Sequence, residues 1–195
     1  LACIKHFPGH GDTDVDSHKD LPVINKSFEE LEQYELYPFR RLLSQKAGAV
    51  MVGHLHLPKL DNRFNHPASL SDKLIKNLLR KEMGYDGLIF TDAMDMQAIT
   101  RYFPNGTAEA EAFLAGNDVI LLPSNLENAI TSIKKYIIDG LISMDRLDES
   151  VERILRTKYK LDLNFKPVVN EMGIPQILNS NKAKAINQKL TAASV

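Results

Sequence analysis

The chain has 195 residues, enough for one substantial hydrophobic core and short for two. Its 44% hydrophobic and 25% charged content is that of a globular protein, and its net charge of -1 argues against a nucleic-acid partner. No apolar run approaches the roughly 20 residues that span a bilayer, and the single cysteine, Cys3, excludes an internal disulfide or a cysteine-rich zinc site.

In chain order, residues 1–4 read as the end of a buried strand, which predicts a buried, structural Cys3 thiol. The chain begins at Leu1 without a methionine, so further residues are expected upstream, any signal peptide among them. Ser27-Phe28-Glu29-Glu30 has the form of a capping box. Leu31, Tyr34, Leu36, Phe39, Leu42 and Leu43 then recur at helical spacing. Pro38 marks the first turn of a second helical piece, and Glu29, Glu30 and Glu32 form a solvated face. Residues 49–52 are an apolar strand ending at Gly53 and His54. Ser71 caps a helix carrying Leu74, Ile75, Leu78, Leu79 and Met83, which Gly84 stops. Residues 87–91 form a buried strand followed at once by Asp92, with helices expected at 95–102 and 107–115. A last strand at 119–122 ends at Pro123, and helices follow at 125–138 and 143–160. Residues 166–180 read as a linker, and 181–195 recover helical propensity.

Four apolar strands separated by helices imply a parallel sheet covered on both faces. A (β/α)8 barrel needs about 250 residues, so four βα units would make roughly its second half. An open doubly wound sheet is the rival. However, no strand is followed by a glycine-rich phosphate loop, and Gly9-His10-Gly11 matches the dinucleotide fingerprint poorly.

The chemistry concentrates in residues 5–18, where His6, His10 and His18 alternate with Asp12, Asp14 and Asp16. Such a loop after a strand suits a metal nest, an acid–base device or a solvated loop. His54 and His56 are separated by one residue and share a face on an extended segment. Metal ligation is one reading of that pair. The preferred one gives His54 a supporting or sugar-contact role and His56 a structural role. Arg63 and His66 read as surface groups of a polar loop. Asp92 either does chemistry or caps the next helix, and Asp95 is the better cap.

Lys5-His6-Phe7-Pro8-Gly9-His10-Gly11-Asp12-Thr13, Asp16-Ser17-His18, Leu21-Pro22, Gly87-Leu88-Ile89-Phe90-Thr91-Asp92-Ala93-Met94 and Gly116-Asn117-Asp118 together resemble glycoside hydrolase family 3, in its β-N-acetylglucosaminidase branch. The resemblance covers about residues 1–160. It implies a (β/α)8 TIM-barrel type of α/β fold, of which residues 1–163 would be the C-terminal half. Residues 164–195 would then be a linker and the start of a following domain. By the same resemblance, Asp92 is the nucleophile of a retaining glycosidase, His18 transfers the proton, and Asp16 orients and polarises it. Lys5 and His6 hold sugar hydroxyls, and the sugar-contact reading of His54, made from its place after the strand, would set it beside them. The implied substrate is an amino-sugar glycan such as a cell-wall fragment of a bacterium, with no cofactor or metal.

The assignment is chemically sensible. Retaining glycosidases need a nucleophile and a separate proton donor, and an imidazole gives and accepts protons near neutrality. Two other readings stay open: a metal-dependent hydrolase built on the His/Asp loop, and a catalytically incomplete fragment. A half-barrel would also leave residues 1–4 and 119–122 as unprotected sheet edges, which favours self-association.

Overall fold

The structure, a computed structural model, describes residues 1–17, 19–103, 106–165 and 171–194. These divide into two units, Leu1–Leu161 and Asp162–Val195. In the first, three parallel strands lie in the order of the chain: β1 (Cys3–Phe7), β2 (Ala49–Val52) and β3 (Leu88–Thr91). The register of β1 on β2 shifts between Ile4 and Phe7, and the Lys5–His6 and Phe7–Pro8 peptides are cis.

The expected fourth strand is reduced to a single parallel bridge, Phe90 to Val119. Backbone bonds do continue there: Thr91 N–H donates to Val119 O (3.1 Å) and Met94 N–H to Leu121 O (2.9 Å). Between them the Thr91 hydroxyl, rather than a carbonyl, receives Leu121 N–H at 2.9 Å. Leu122 then turns to positive φ (44°), so the ladder ends.

Side-chain alternation assigns the two faces of the sheet. Phe7, Val50, Val52 and Ile89 point into the main core and meet Leu31, Leu36, Phe39, Leu74, Ile75, Leu78 and Leu79 from the helices. Half-buried Ile4, paired with Val50, packs against the same core, and on the opposite face Met51 and Phe90 are only half-buried. Cys3 is exposed, contrary to the sequence expectation, because β1 is the edge strand and nothing described covers its start.

The helices follow their local signals. In α1 (Phe28–Gln33) both halves of the Ser27/Glu30 box are formed, at a typical worth of about 1 kcal/mol for such a cap. Pro38 falls in the first turn of α2 (Leu36–Ser44). Glu29 and Glu30 are exposed, whereas Glu32 is half-buried and holds Arg40 with both oxygens. The helix after Ser71 spans Lys73–Glu82 with the wide π hydrogen-bond pattern, and Ser71 Oγ accepts Leu74 N–H (3.4 Å) at its start. The helix expected at 95–102 shortens to α3 (Gln97–Thr100); Met96 occupies its cap position and Asp95 makes no cap bond. α4 (Thr107–Ala115), α5 (Leu126–Ile138) and α6 (Met144–Lys160) match the expected ranges closely.

Asp118 joins these layers. Its fully buried carboxylate accepts from Arg80 of the π-helix, Ile89 N–H of β3 (3.0 Å), and Ser150 Oγ (2.7 Å) and Arg153 Nη1 (3.3 Å) of α6. The second unit contains α7 (Ile174–Leu178), inside the segment read as linker, and α8 (Asn181–Ala193), capped by Ser180 Oγ. Among the described residues no helix is long and apolar enough to cross a membrane.

Candidate active site

Asp92 sits where β3 ends. Its N–H still donates to Val52 O at 2.9 Å, so it extends the sheet ladder by one residue. Alternation then places its side chain on the half-buried face with Phe90, away from the helix layer. His6 arrives on that face from β1. Its Nε2 stands 3.6 Å from Asp92 Oδ2, with the two side chains 30% and 16% exposed. The two groups are therefore sheltered yet reachable. The other carboxylate oxygen, Oδ1, accepts Ala93 N–H at 2.9 Å.

The loop after β1 is braced along its length. Gly53 N–H donates to Phe7 O (2.9 Å) and Gly9 N–H to His6 O (2.8 Å). Gly9 has φ of +133°, and a Cβ there would lie 2.6 Å from Glu35 Cβ, so only glycine lets the loop lie against the start of α2. Lys26 bridges Asp12 (2.7 Å) and Glu35, and those two hydrogen bonds, Asp12 first, push its ammonium above the ordinary lysine value. The His10 ring stands edge-on to His6 at 6.1 Å. Thr13 Oγ1 (3.1 Å) and Ser17 Oγ (3.3 Å) hold its two nitrogens. At the far end Asp20 accepts Tyr102 Oη (2.9 Å) and Arg101 Nη1 (2.7 Å). Its carboxyl lies below the usual range through the Leu21 N–H and Tyr102 bonds.

The expected site residues separate into three groups. His6 and Asp92 are brought together. Lys5 and Asp16 are exposed, on β1 and in the braced loop; Asp16 O accepts Lys19 N–H (2.8 Å). His18 lies outside the described residues.

His54 is fully buried. Its Nδ1 meets Ser69 Oγ at 2.7 Å and its Nε2 meets Ala93 O at 2.9 Å, so neither nitrogen is open to a ligand in this chain. Burial lowers its basicity, against the favourable effect of the Ala93 carbonyl and of Asp92. His56 bonds the His66 carbonyl (3.2 Å) and bridges Val23 and Pro67. Of the two residues expected at the surface in the 61–67 loop, Arg63 is exposed and His66 is not. His66 is buried with Nε2 on Leu70 O (2.9 Å), and Arg63 pairs with buried Asp61 and with Asp72. The His66 ring stands edge-on to Phe103 at 6.0 Å.

Ser69 and Asn117 carry no functional signal in the sequence beyond the Gly116-Asn117-Asp118 stretch, yet both are fully buried beside His54 and Ala93. Asn117 Nδ2 donates to Ser69 O (2.8 Å) and Ala112 O (2.7 Å). Among the described residues no group of three or more His, Cys, Asp or Glu side chains is placed to hold a metal ion.

Residues 1–157 match the sequence profile of the Glycosyl hydrolase family 3 N terminal domain. Beta-hexosaminidase A of Pseudoalteromonas piscicida is 35% identical over 181 residues, 83% of this chain and 30% of that protein. A beta-N-acetylglucosaminidase/beta-glucosidase of Cellulomonas fimi is 29% identical over 100% of this chain and 36% of its own length. The chain thus spans about a third of the curated relatives it matches. Among solved structures, a glycoside hydrolase family 3 beta-N-acetylglucosaminidase from Paenibacillus sp. str. FPU-7 superposes with a TM-score of 0.88 at 34% identity. That superposition covers 96% of this chain and 36% of the other. The fold is accordingly α/β of the TIM-barrel type, represented here by part of the barrel. By its sequence profile over residues 1–157, the chain belongs to glycosyl hydrolase family 3.

Proposed function

We propose that the chain supplies the nucleophile side of a retaining glycosidase that removes terminal β-linked N-acetylglucosamine from amino-sugar glycans, cell-wall fragments among them. The observation that carries this reading is the sheltered His6–Asp92 pair at the strand ends, 3.6 Å apart, where barrel enzymes place their chemistry. Asp92 Oδ2 attacks the anomeric carbon, the glycosidic C–O bond breaks, and His18 gives its proton to the departing oxygen. Water then cleaves the glycosyl ester with His18 as base. Asp16 orients and polarises His18. Lys5 and His6 donate to hydroxyls of the bound sugar, and His54 holds the backbone behind Asp92.

In the full-length protein that carries this chain, Asp92→Asn is expected to abolish turnover of an aryl N-acetylglucosaminide, and a mechanism-based fluorosugar to label Asp92. Labelling at a different carboxylate, with Asp92→Asn active, refutes the assignment. The 195-residue chain alone leaves one side of the sugar uncovered and, among the described residues, no strand on the outer edge of β1. It is therefore expected to be inactive in a fluorogenic assay and to self-associate in sedimentation. A monomer with near-parental turnover would refute that part of the reading.

A further inference from the structure

The nucleophile reading rests on Asp92, but a carboxylate has two oxygens and a free side-chain torsion. Four bonds remove that freedom. Asp92 N–H is tied to Val52 O at 2.9 Å. Ala93 N–H occupies Oδ1 at 2.9 Å. The Ala93–Met94 peptide is gripped on both sides, its N–H by Leu121 O (2.9 Å) and its carbonyl by His54 Nε2 (2.9 Å). A carbonyl offers no proton, so Nε2 carries the hydrogen of that last bond. A buried, neutral imidazole has one proton, which leaves Nδ1 bare to accept the Ser69 hydroxyl at 2.7 Å. Ser69 is fixed in turn by Asn117, whose amide also holds the end of α4.

Given Asp92 as nucleophile, we propose that His54 is a positioning residue that makes Oδ2 the attacking oxygen. It clamps the Ala93 carbonyl, which aims Ala93 N–H at Oδ1 and leaves Oδ2 toward His6 and the sugar. With His54 gone, the half-buried Ala93 carbonyl loses its partner, the peptide tilts, and the carboxylate turns about its own torsion. The substrate still binds, because its contacts lie on β1 and the loop after it. The fraction of complexes in attack geometry falls.

The test uses the full-length enzyme and a 2-fluoro glycoside, reading the rate of covalent trapping and the kcat and KM of turnover. His54→Ala is expected to slow trapping and kcat about ten- to a hundredfold while KM stays within about threefold, the range for a catalytic group displaced by roughly 1 Å. His54→Gln, whose amide can give a hydrogen to Ala93 O and accept one from Ser69, is expected to recover most of that loss. Parental trapping in folded His54→Ala overturns the proposal, as does a His54→Gln variant no better than alanine. If His54→Ala does not fold, Ser69→Ala removes one hydroxyl and lets the imidazole turn. A trapping rate at least about threefold down supports the clamp and an unchanged rate overturns it. Label on another carboxylate of the unaltered enzyme refutes the nucleophile assignment itself, before any variant is compared.

Discussion

Replacing Asp118 by alanine tests whether the arginine cluster is what holds α6 and the π-helix to β3. The carboxylate is 0% exposed, and its partners Arg80, Arg146 and Arg153 are 15%, 13% and 21% exposed. Burial already presses the Arg80 and Arg146 guanidinium groups below the ordinary arginine value, with Asp118 pulling the other way. Removing the anion leaves three sheltered cations facing one another and strips the acceptor from Ile89 N–H and Ser150 Oγ. Breaking one buried pair by removing a partner costs about 3–5 kcal/mol. With a urea slope of about 2 kcal/mol/M for a chain of this size, the midpoint should fall by about 1.5–2.5 M. Asp118→Asn keeps the shape and one oxygen, so a loss of about 2 kcal/mol is expected, that of a hydrogen bond to a charged group. The assay is urea unfolding of the 195-residue chain followed by circular dichroism. A midpoint for Asp118→Ala within about 0.3 M of the parent would show that the arginines find water and that the cluster stabilises nothing.

Burial pushes the His66 imidazole below its usual value, with the Arg63 charge adding to the shift, and His54 is lowered by burial as well. The unfolded chain takes up protons near pH 6.5 that the folded chain refuses, so this stability is complete above about that pH and is lost as pH falls. The urea midpoint should drop from pH 7.5 to 5.5 and the drop should shrink in His66→Gln; equal slopes would refute it. Gly9→Ala, at a positive φ and against Glu35, should cost about 1–3 kcal/mol, and a midpoint equal to the parent's would show that α2 yields instead. In the full-length enzyme, His18→Ala should slow substrates with poor leaving groups far more than activated aryl glycosides, since only the former need a proton on the departing oxygen. Equal losses on both would make His18 a positional residue.

Local signals sufficed wherever a structure is set by neighbours in the chain. The Ser27 box and the ranges of α4, α5 and α6 follow from caps and periodicity, which act within a turn or two. The place of Asp92 directly after β3 was legible for the same reason. What the amino-acid order left open depends on which groups meet across long separations. Cys3 sits in an apolar run but on an edge strand, so it is exposed. His66 sits in a polar loop but faces Phe103 and the Leu70 carbonyl, so it is buried. The fourth strand shrinks to one bridge because the Thr91 hydroxyl takes the Leu121 N–H that a carbonyl would have held. The His54–Ala93 clamp belongs to this second kind. A supporting role for His54 was legible from its place after β2, but only the packing of β2 beside β3 decides that it reaches the backbone behind Asp92.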